Sequence, residues 1–400
     1  MRTSFSRPRR GVPIALLPAL ITALFSACAV QDATPDTVAP LPIRQADGAT
    51  LSGSTVSSGR PGSTRPQASQ ASQARLPLAT SPIPVKVMIV TMFAPEAKPW
   101  LDHLGATTAI SIPGLSPEFP TVQCHGEDVC VVTTGMGHTN AAASMAALLF
   151  SGRFDLRQTY FVIGGIAGID PAQGTLGTVA WARYLVDFGL QWELDAREIP
   201  KAWSSGYLGI HTASGAEKPK LHYGTEVYQL NEALLQRALT LSKAVSLTDS
   251  AAAQSYRAKY AYAPANQPPR VTQCDTTSGD TWFSGTALGN RARTWTSLLT
   301  DGKGVYCTTQ QEDNATFEVI KRAATAGLAD TNRVAVMRAG SDFDRPPKGV
   351  SNVENLFNYP QQGGFQPAIA NLYLSGSPLV QQIVTHWSEW QKGVPVVSND

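Results

Sequence analysis

The chain carries almost no net charge: 32 lysines and arginines stand against 30 aspartates and glutamates, a formal +2 over 400 residues. That balance provides neither a nucleic-acid groove nor a polybasic membrane anchor, so nucleic acid is excluded as a partner and any electrostatic account of function must be local. Clustered metal ligands are missing as well. Among the five cysteines there is no Cys-x-x-Cys pair, and no histidine cluster lies beside them. The sequence therefore calls for no zinc site, and for no metal or cofactor of any kind. After residue 28 no apolar run approaches the roughly 20 residues that a membrane-crossing helix needs.

What the N-terminal part has is targeting information. Arg2, Arg7, Arg9 and Arg10 precede an apolar run over 12–25, followed by Ser26, Ala27 and Cys28. Residues 1–28 read as an export signal, with Cys28 as the lipidated first residue of a mature lipoprotein. The expected location is periplasmic and lipid-anchored, with a soluble secreted form as the alternative. Residues 29–84 are rich in Ser, Thr, Gln, Pro and Ala without apolar periodicity, the composition of a flexible tether. The folded domain is expected over 85–400, where an apolar share of 43% can build a large core. Cys124, Cys130, Cys274 and Cys307 remain after the signal, and their even number suits disulfides in an oxidising compartment. Of three possible pairings, Cys124 with Cys130 and Cys274 with Cys307 is the simplest.

Short β-branched runs at 85–90, 129–134, 160–163, 178–182 and 333–338 alternate with helical stretches at 140–150 and 315–326. This pattern reads as an α/β domain whose site lies at strand ends. The less regular 185–275 segment reads as an enlarged insertion carrying a helix over 231–247. Pro95 suits a helix start, which puts Glu96 at a strand-to-helix junction. Gly135 and Gly137 mark a tight turn open to close approach of a ligand. Gly164, Gly165 and Gly168 follow the third strand, and Ser341 and Asp342 follow the last one.

Four phrases carry a family resemblance: TTGMGHTNAA at 133–142, GGIAGIDP at 164–171, GTEVYQLN at 224–231 and SDFDRPP at 341–347. In combination they resemble the purine nucleoside permease family, related in fold to the nucleoside phosphorylase and methylthioadenosine nucleosidase superfamily. The resemblance implies a phosphorylase-like three-layer fold with a mixed central β-sheet. It places Glu96 as the carboxylate that activates water at the sugar C1′, and Asp342 as the acid that protonates the departing purine. Glu312 falls at the position that binds ribose hydroxyls, with its neighbour Asp313 as the rival. Trp282 stands nearest to the ring that packs on the base, with Phe283 beside it. Gly135, Gly137, His138, Gly164, Gly165 and Gln311 complete the expected ligand contacts.

The sequence departs from the phosphorylases where they use an arginine and a serine to hold phosphate. Val162 and Gly165 stand there instead, and neither can replace a guanidinium or a hydroxyl. Hydrolysis of a purine nucleoside is thus favoured over phosphorolysis, with His138, Thr139, Arg291 and Arg293 left as material for a different phosphate site. The competing function is a non-catalytic nucleoside-binding protein in purine nucleoside transport, working with an uptake-system partner. Homo-oligomerisation stays open.

Overall fold

A strand covered on both faces needs apolar side chains at every position. The segment Val87–Thr91 meets that demand: Val87 and Ile89 enter one cluster of buried residues, Met88 and Val90 another. The two faces of this strand thereby set out the layers of a computed structural model whose described residues are 81–395. The export signal, Cys28 and nearly all of the tether lie outside those residues.

In chain order the elements begin with β1 Ile83–Pro84, β2 Val87–Thr91, α1 Ala94–Leu104, β3 Thr108–Ser111, β4 Thr121–His125, β5 Val129–Thr133 and α2 His138–Phe150. Next come β6 Phe154–Asp155, β7 Tyr160–Ile169, β8 Val179–Trp181, β9 Tyr184–Asp187, β10 Trp192–Glu193, β11 Tyr207–Leu208 and β12 Val227–Gln229. The chain continues through α3 Glu232–Ser242, α4 Ala251–Arg257, β13 Val271–Gln273, β14 Asp275–Ser278, α5 Thr286–Leu299, β15 Tyr306–Gln310 and α6 Asp313–Thr325. It closes with β16 Val334–Phe343, α7 Asn352–Phe357, α8 Phe365–Thr385 and α9 Trp387–Trp390.

Twelve strands form one mixed sheet in the order β12-β9-β14-β15-β7-β2-β5-β4-β3, with β16 beside β7, and β8 and β13 beyond it. Residues of α1, α3 and α8 pack with Val87 and Ile89 on one face; α2 and α6 pack with Met88 and Val90 on the other. The fold is therefore a three-layer α/β architecture around a mixed sheet. Met88, Ile89 and Val90 are fully buried, and each contributes about 1.5–3 kcal/mol by leaving water.

Several boundaries differ from the sequence reading for identifiable reasons. The third strand does not stop before its glycines. It runs on to Ile169 because β16 lies parallel beside it along its whole course, from Val334 opposite Phe161 to Phe343 opposite Ile169. Ser341 and Asp342 likewise lie inside β16 instead of after it, where the ladder shifts register between Gly340 and Asp342. Such a bulge re-aims side chains locally. The 185–275 region supplies β9, β12 and β13 to the main sheet, so the true elaboration is narrower and includes the small β10-β11 ribbon. Its helix is shorter than expected and opens on Asn231, whose side chain accepts from the Leu234 amide. Ordered pairing starts at Ile83, opposite Phe154, two residues before the expected domain boundary. Disulfides join Cys124 to Cys130 and Cys274 to Cys307.

One feature of the sheet prepares the site. On one edge β7 pairs first with β2, up to Ile163, and then with β15, from Gly168. Between these contacts β2 and β15 diverge, leaving a seam at residues 164–167. Backbone groups at that seam need partners from side chains.

Candidate active site

Glu96 and Arg338 fill the seam. Glu96 stands in the first turn of α1, immediately after β2, and is 2% exposed. Its Oε1 accepts the Ile166 amide at 2.7 Å and its Oε2 accepts the Met92 amide at 2.8 Å. Arg338, from the middle of β16, donates through Nη1 to the Ile166 carbonyl at 3.2 Å. Both backbone groups of Ile166 are thus taken by side chains. Burial pushes the Glu96 carboxyl up to about 7, against the opposing pull of Arg338 and the two amides.

Arg338 is the organising cation of the site. Its Nη2 donates to Asp313 Oδ1 at 2.6 Å and to Glu312 Oε2 at 3.1 Å, while Nε reaches Asp313 Oδ2 at 3.1 Å. Burial works against its charge, but Asp313 and Glu312 more than offset that and hold it protonated. Asp313 is fully buried behind the arginine, whereas Glu312 faces the cavity. The two candidate sugar ligands therefore have different positions: Asp313 anchors Arg338, and Glu312 lines the cavity. Glu312 Oε1 also accepts the Gly137 amide at 3.0 Å. Gln310 supports both acids from behind, its Oε1 accepting the Glu312 amide at 2.6 Å and the Asp313 amide at 3.0 Å.

The two glycines of the seam do different things. A Cβ at Gly165 would lie 2.5 Å from Arg338 Nη1 and 2.8 Å from Glu96 Oε1, so only glycine lets these groups approach. A Cβ at Gly164 would meet Met337 and Leu372, on the helix-covered face away from the cavity.

Asp342 completes the set from the bulge of β16. Its Oδ1 accepts from Ser341 Oγ at 2.7 Å, and among the described residues no arginine or lysine is bonded to it. Burial pushes its carboxyl up to about 7, with Asp344 adding repulsion and Ser341 opposing. Glu96 reaches Ile166, and Asp342 pairs with Gly168 in the ladder. Ile166 and Gly168 are two steps apart along β7, about 7 Å of strand.

Both acids line a cavity of about 310 Å³ together with Glu312, Gln311, Arg338, Trp282 and Phe283. Met92, Phe93 and Phe365 give it an apolar side. Trp282 is 47% exposed at the mouth, its ring 4.8 Å from Tyr359, while Phe283 is buried against Phe188. Met136 lines the cavity, but the flanking Gly135 and Gly137 do not; they shape the turn, both at positive φ. His138 points elsewhere, with Nδ1 3.3 Å from Asp280 and Nε2 3.8 Å from Asp187.

The residues set aside for an alternative phosphate site do not come together. Arg293 is bonded to Asp170, and Arg291 to Gln191 and the Gly215 carbonyl. At the start of α2, the Gly137 and His138 amides are already occupied by Glu312 and Asp280. Among the described residues, no group of three or more His, Cys, Asp or Glu side chains is arranged to hold a metal ion.

Sequence reasoning missed Arg338, Gln310, Tyr359 and Phe365. Arg338 had a signal: it is the one charge in the otherwise apolar run Val334-Ala335-Val336-Met337-Arg338-Ala339-Gly340, and a charge inside a buried strand needs a partner. The others had none, because their nearness to the cavity depends on how the segments meet.

Residues 84–395 match the family described as purine nucleoside permease. A probable purine nucleoside permease of Schizosaccharomyces pombe is 42% identical over 318 residues, spanning 76% of this chain and 90% of that protein. A purine nucleoside permease of Candida albicans is 39% identical over 312 residues, spanning 77% of each. Solved structures with a similar course include a 5'-methylthioadenosine/S-adenosylhomocysteine nucleosidase from Colwellia psychrerythraea in complex with adenine. It has a TM-score of 0.47, 17% identity, and coverage of 79% of this chain and 98% of that one. The corresponding nucleosidase from S. pneumoniae has a TM-score of 0.45 at 15% identity, covering 74% and 99%. With a family match over nearly the whole described region and two relatives near 40% identity, the chain belongs to the purine nucleoside permease family.

Proposed function

We propose that the chain cleaves the N-glycosidic bond of purine nucleosides, with water as the acceptor. The observation that carries this reading is a pair of buried carboxyl groups, Glu96 and Asp342, each pushed up to about 7 and both facing one cavity. Arg338 and two backbone amides favour the ionised form of Glu96, whereas only Ser341 favours that of Asp342, which suits the first to the base role and the second to the acid role. Ionised Glu96 takes a proton from water as the water oxygen bonds to C1′. Protonated Asp342 gives its proton to the purine as the C1′–N bond breaks and its electron pair stays on the base. Glu312 accepts from the sugar hydroxyls, and Trp282 and Phe283 support the ring. The names of the relatives favour purine nucleosides as the ligand class.

Water is favoured over phosphate on three grounds. Among the described residues Arg338 is the only lysine or arginine lining the cavity, and it is hydrogen-bonded to Asp313, Glu312 and Ile166. Gly165 has no room for a hydroxyl side chain. The Gly137 and His138 amides at the start of α2 are taken by Glu312 and Asp280. The second reading, nucleoside binding without turnover in an uptake system, is favoured by the word permease in those same names. Among the described residues no helix is long and apolar enough to cross a membrane.

Purified chain is to be incubated with a purine nucleoside panel in phosphate-free buffer and again with added phosphate. Free base should appear at equal rates in both. Release only with phosphate would assign phosphorolysis, and calorimetric binding without release would assign the uptake role. The two disulfides support export to an oxidising compartment. A periplasmic, Cys28-anchored chain should show a lipidated Cys28 when the mature N-terminus is weighed by mass spectrometry; cleavage elsewhere would remove the anchor from the reading.

A further inference from the structure

Asp280 lies between two cavity-lining residues, Gly279 and Thr281, yet does not line the cavity itself. Its side chain, 58% exposed, turns to the start of α2. There Oδ1 accepts the His138 amide at 2.8 Å and stands 3.3 Å from His138 Nδ1. Its backbone carbonyl accepts Gln311 Nε2 at 2.7 Å. One residue therefore touches the three segments that build the mouth of the cavity: the 135–138 turn, the 279–283 wall and the Gln311-Glu312 corner.

Helix α2 explains why this residue is a carboxylate. The N-cap of α2 is Gly137, which has no side chain to satisfy the first amides of the helix. Two carboxylates from elsewhere do so instead, Glu312 at the Gly137 amide and Asp280 at the His138 amide. Both gain from the positive end of the helix dipole. Gly137 adopts φ +90°, and a Cβ there would sit 3.2 Å from Asp280 Oδ1, so the glycine leaves space for the contact.

We propose that Asp280 is a positioning residue for nucleoside binding. Its side chain holds the His138 amide while its backbone carbonyl holds Gln311, so the carboxylate ties the start of α2 to the Trp282-Phe283 wall and the corner that carries Glu312. Without it the wall must be ordered anew at each binding event, and that ordering falls on affinity more than on the chemical step. The proposal rests on the nucleoside-binding part of the function above and is indifferent to turnover.

The test compares wild type, Asp280→Ala, Asp280→Asn and a distant cap variant, Asn231→Ala, by calorimetric titration with adenosine and inosine and by thermal melting. Asp280→Ala should raise Kd about five- to tenfold, the size of a lost helix cap. Asp280→Asn keeps an acceptor for the His138 amide and should stay within about twofold of wild type. Asn231→Ala should lower Tm comparably and leave Kd unchanged. Where base is released, kcat of Asp280→Ala should change less than KM. Wild-type affinity in Asp280→Ala overturns the proposal, as does an equal loss in Asn231→Ala or an effect confined to kcat. A wild type that binds neither nucleoside overturns the functional reading itself, and the proposal falls with it.

Discussion

Asp342 is the residue whose chemistry depends most on its surroundings. Its carboxyl is buried with no bonded cation among the described residues, and burial pushes it from 3.8 up to about 7. Between about pH 4 and 7 the folded state therefore holds a proton that the unfolded state releases. The stability this group contributes is complete below about pH 4 and is lost as pH rises through 7. Asp342→Asn removes that loss, so its Tm relative to wild type should rise between pH 5 and pH 8, by the equivalent of a few kcal/mol. In activity the same variant should fall well below wild type and lose the decline above pH 7 that deprotonation of Asp342 imposes. Equal Tm shifts at both pH values would show that Asp342 ionises in the ordinary carboxylate range. Glu96 differs in kind: it is raised by burial too, but Arg338 and two amides steady its charged form, as the proposed base role requires.

At the scale of elements, the active geometry comes from β7 and its neighbours. Gly164 and Gly165 are adjacent and identical in sequence, yet alternation along the strand sends them to opposite faces. Gly165→Ala places a Cβ into Arg338 and Glu96, two groups held by several hydrogen bonds each. Gly164→Ala meets the flexible end of Met337 at 3.0 Å. Turnover should fall about 10- to 100-fold in Gly165→Ala, the effect of displacing a catalytic group by about an ångström, and stay within about twofold in Gly164→Ala. Comparable kinetics for the two variants would disconnect the seam from the chemistry. The same strand shows what local sequence conveys poorly. Tyr160 to Ile163 announce a strand by their side chains, whereas Gly164 to Gly168 lack the bulk that marks one. Only the long parallel partner β16 makes them extended.

At the scale of the whole molecule, the disulfides tie segments of different reach. Cys274, directly before β14, and Cys307, within β15, are 33 residues apart, and the far ends of these strands lead to the aromatic wall and Glu312; Cys124 and Cys130 are 6 apart. Loop-closure entropy then assigns about 4 kcal/mol to the first bond and about 2 kcal/mol to the second. Replacing each pair by alanine and measuring urea unfolding should reproduce that order. A larger loss for the Cys124-Cys130 pair would mean that native packing around the bond, not chain entropy, governs its worth.

The sequence by itself determined the α/β class, the strand-to-helix setting of Glu96 and the family, because these rest on local apolar patterning and on short phrases. It also made Glu96, Glu312 and Asp342 legible as a set, through resemblance. It did not decide between Glu312 and Asp313, since adjacent residues at a helix start differ only in which way they face once α6 is packed. Arg338 drew no attention for a similar reason: it is 26 residues from Glu312 and 25 from Asp313 along the chain, and only the sheet order β15-β7-β16 brings them together. Tertiary structure also decided that His138 and Asp280 bind each other, 142 residues apart. Local propensity acts over a few residues, whereas a buried charge is settled by whichever partner the fold brings within hydrogen-bond reach.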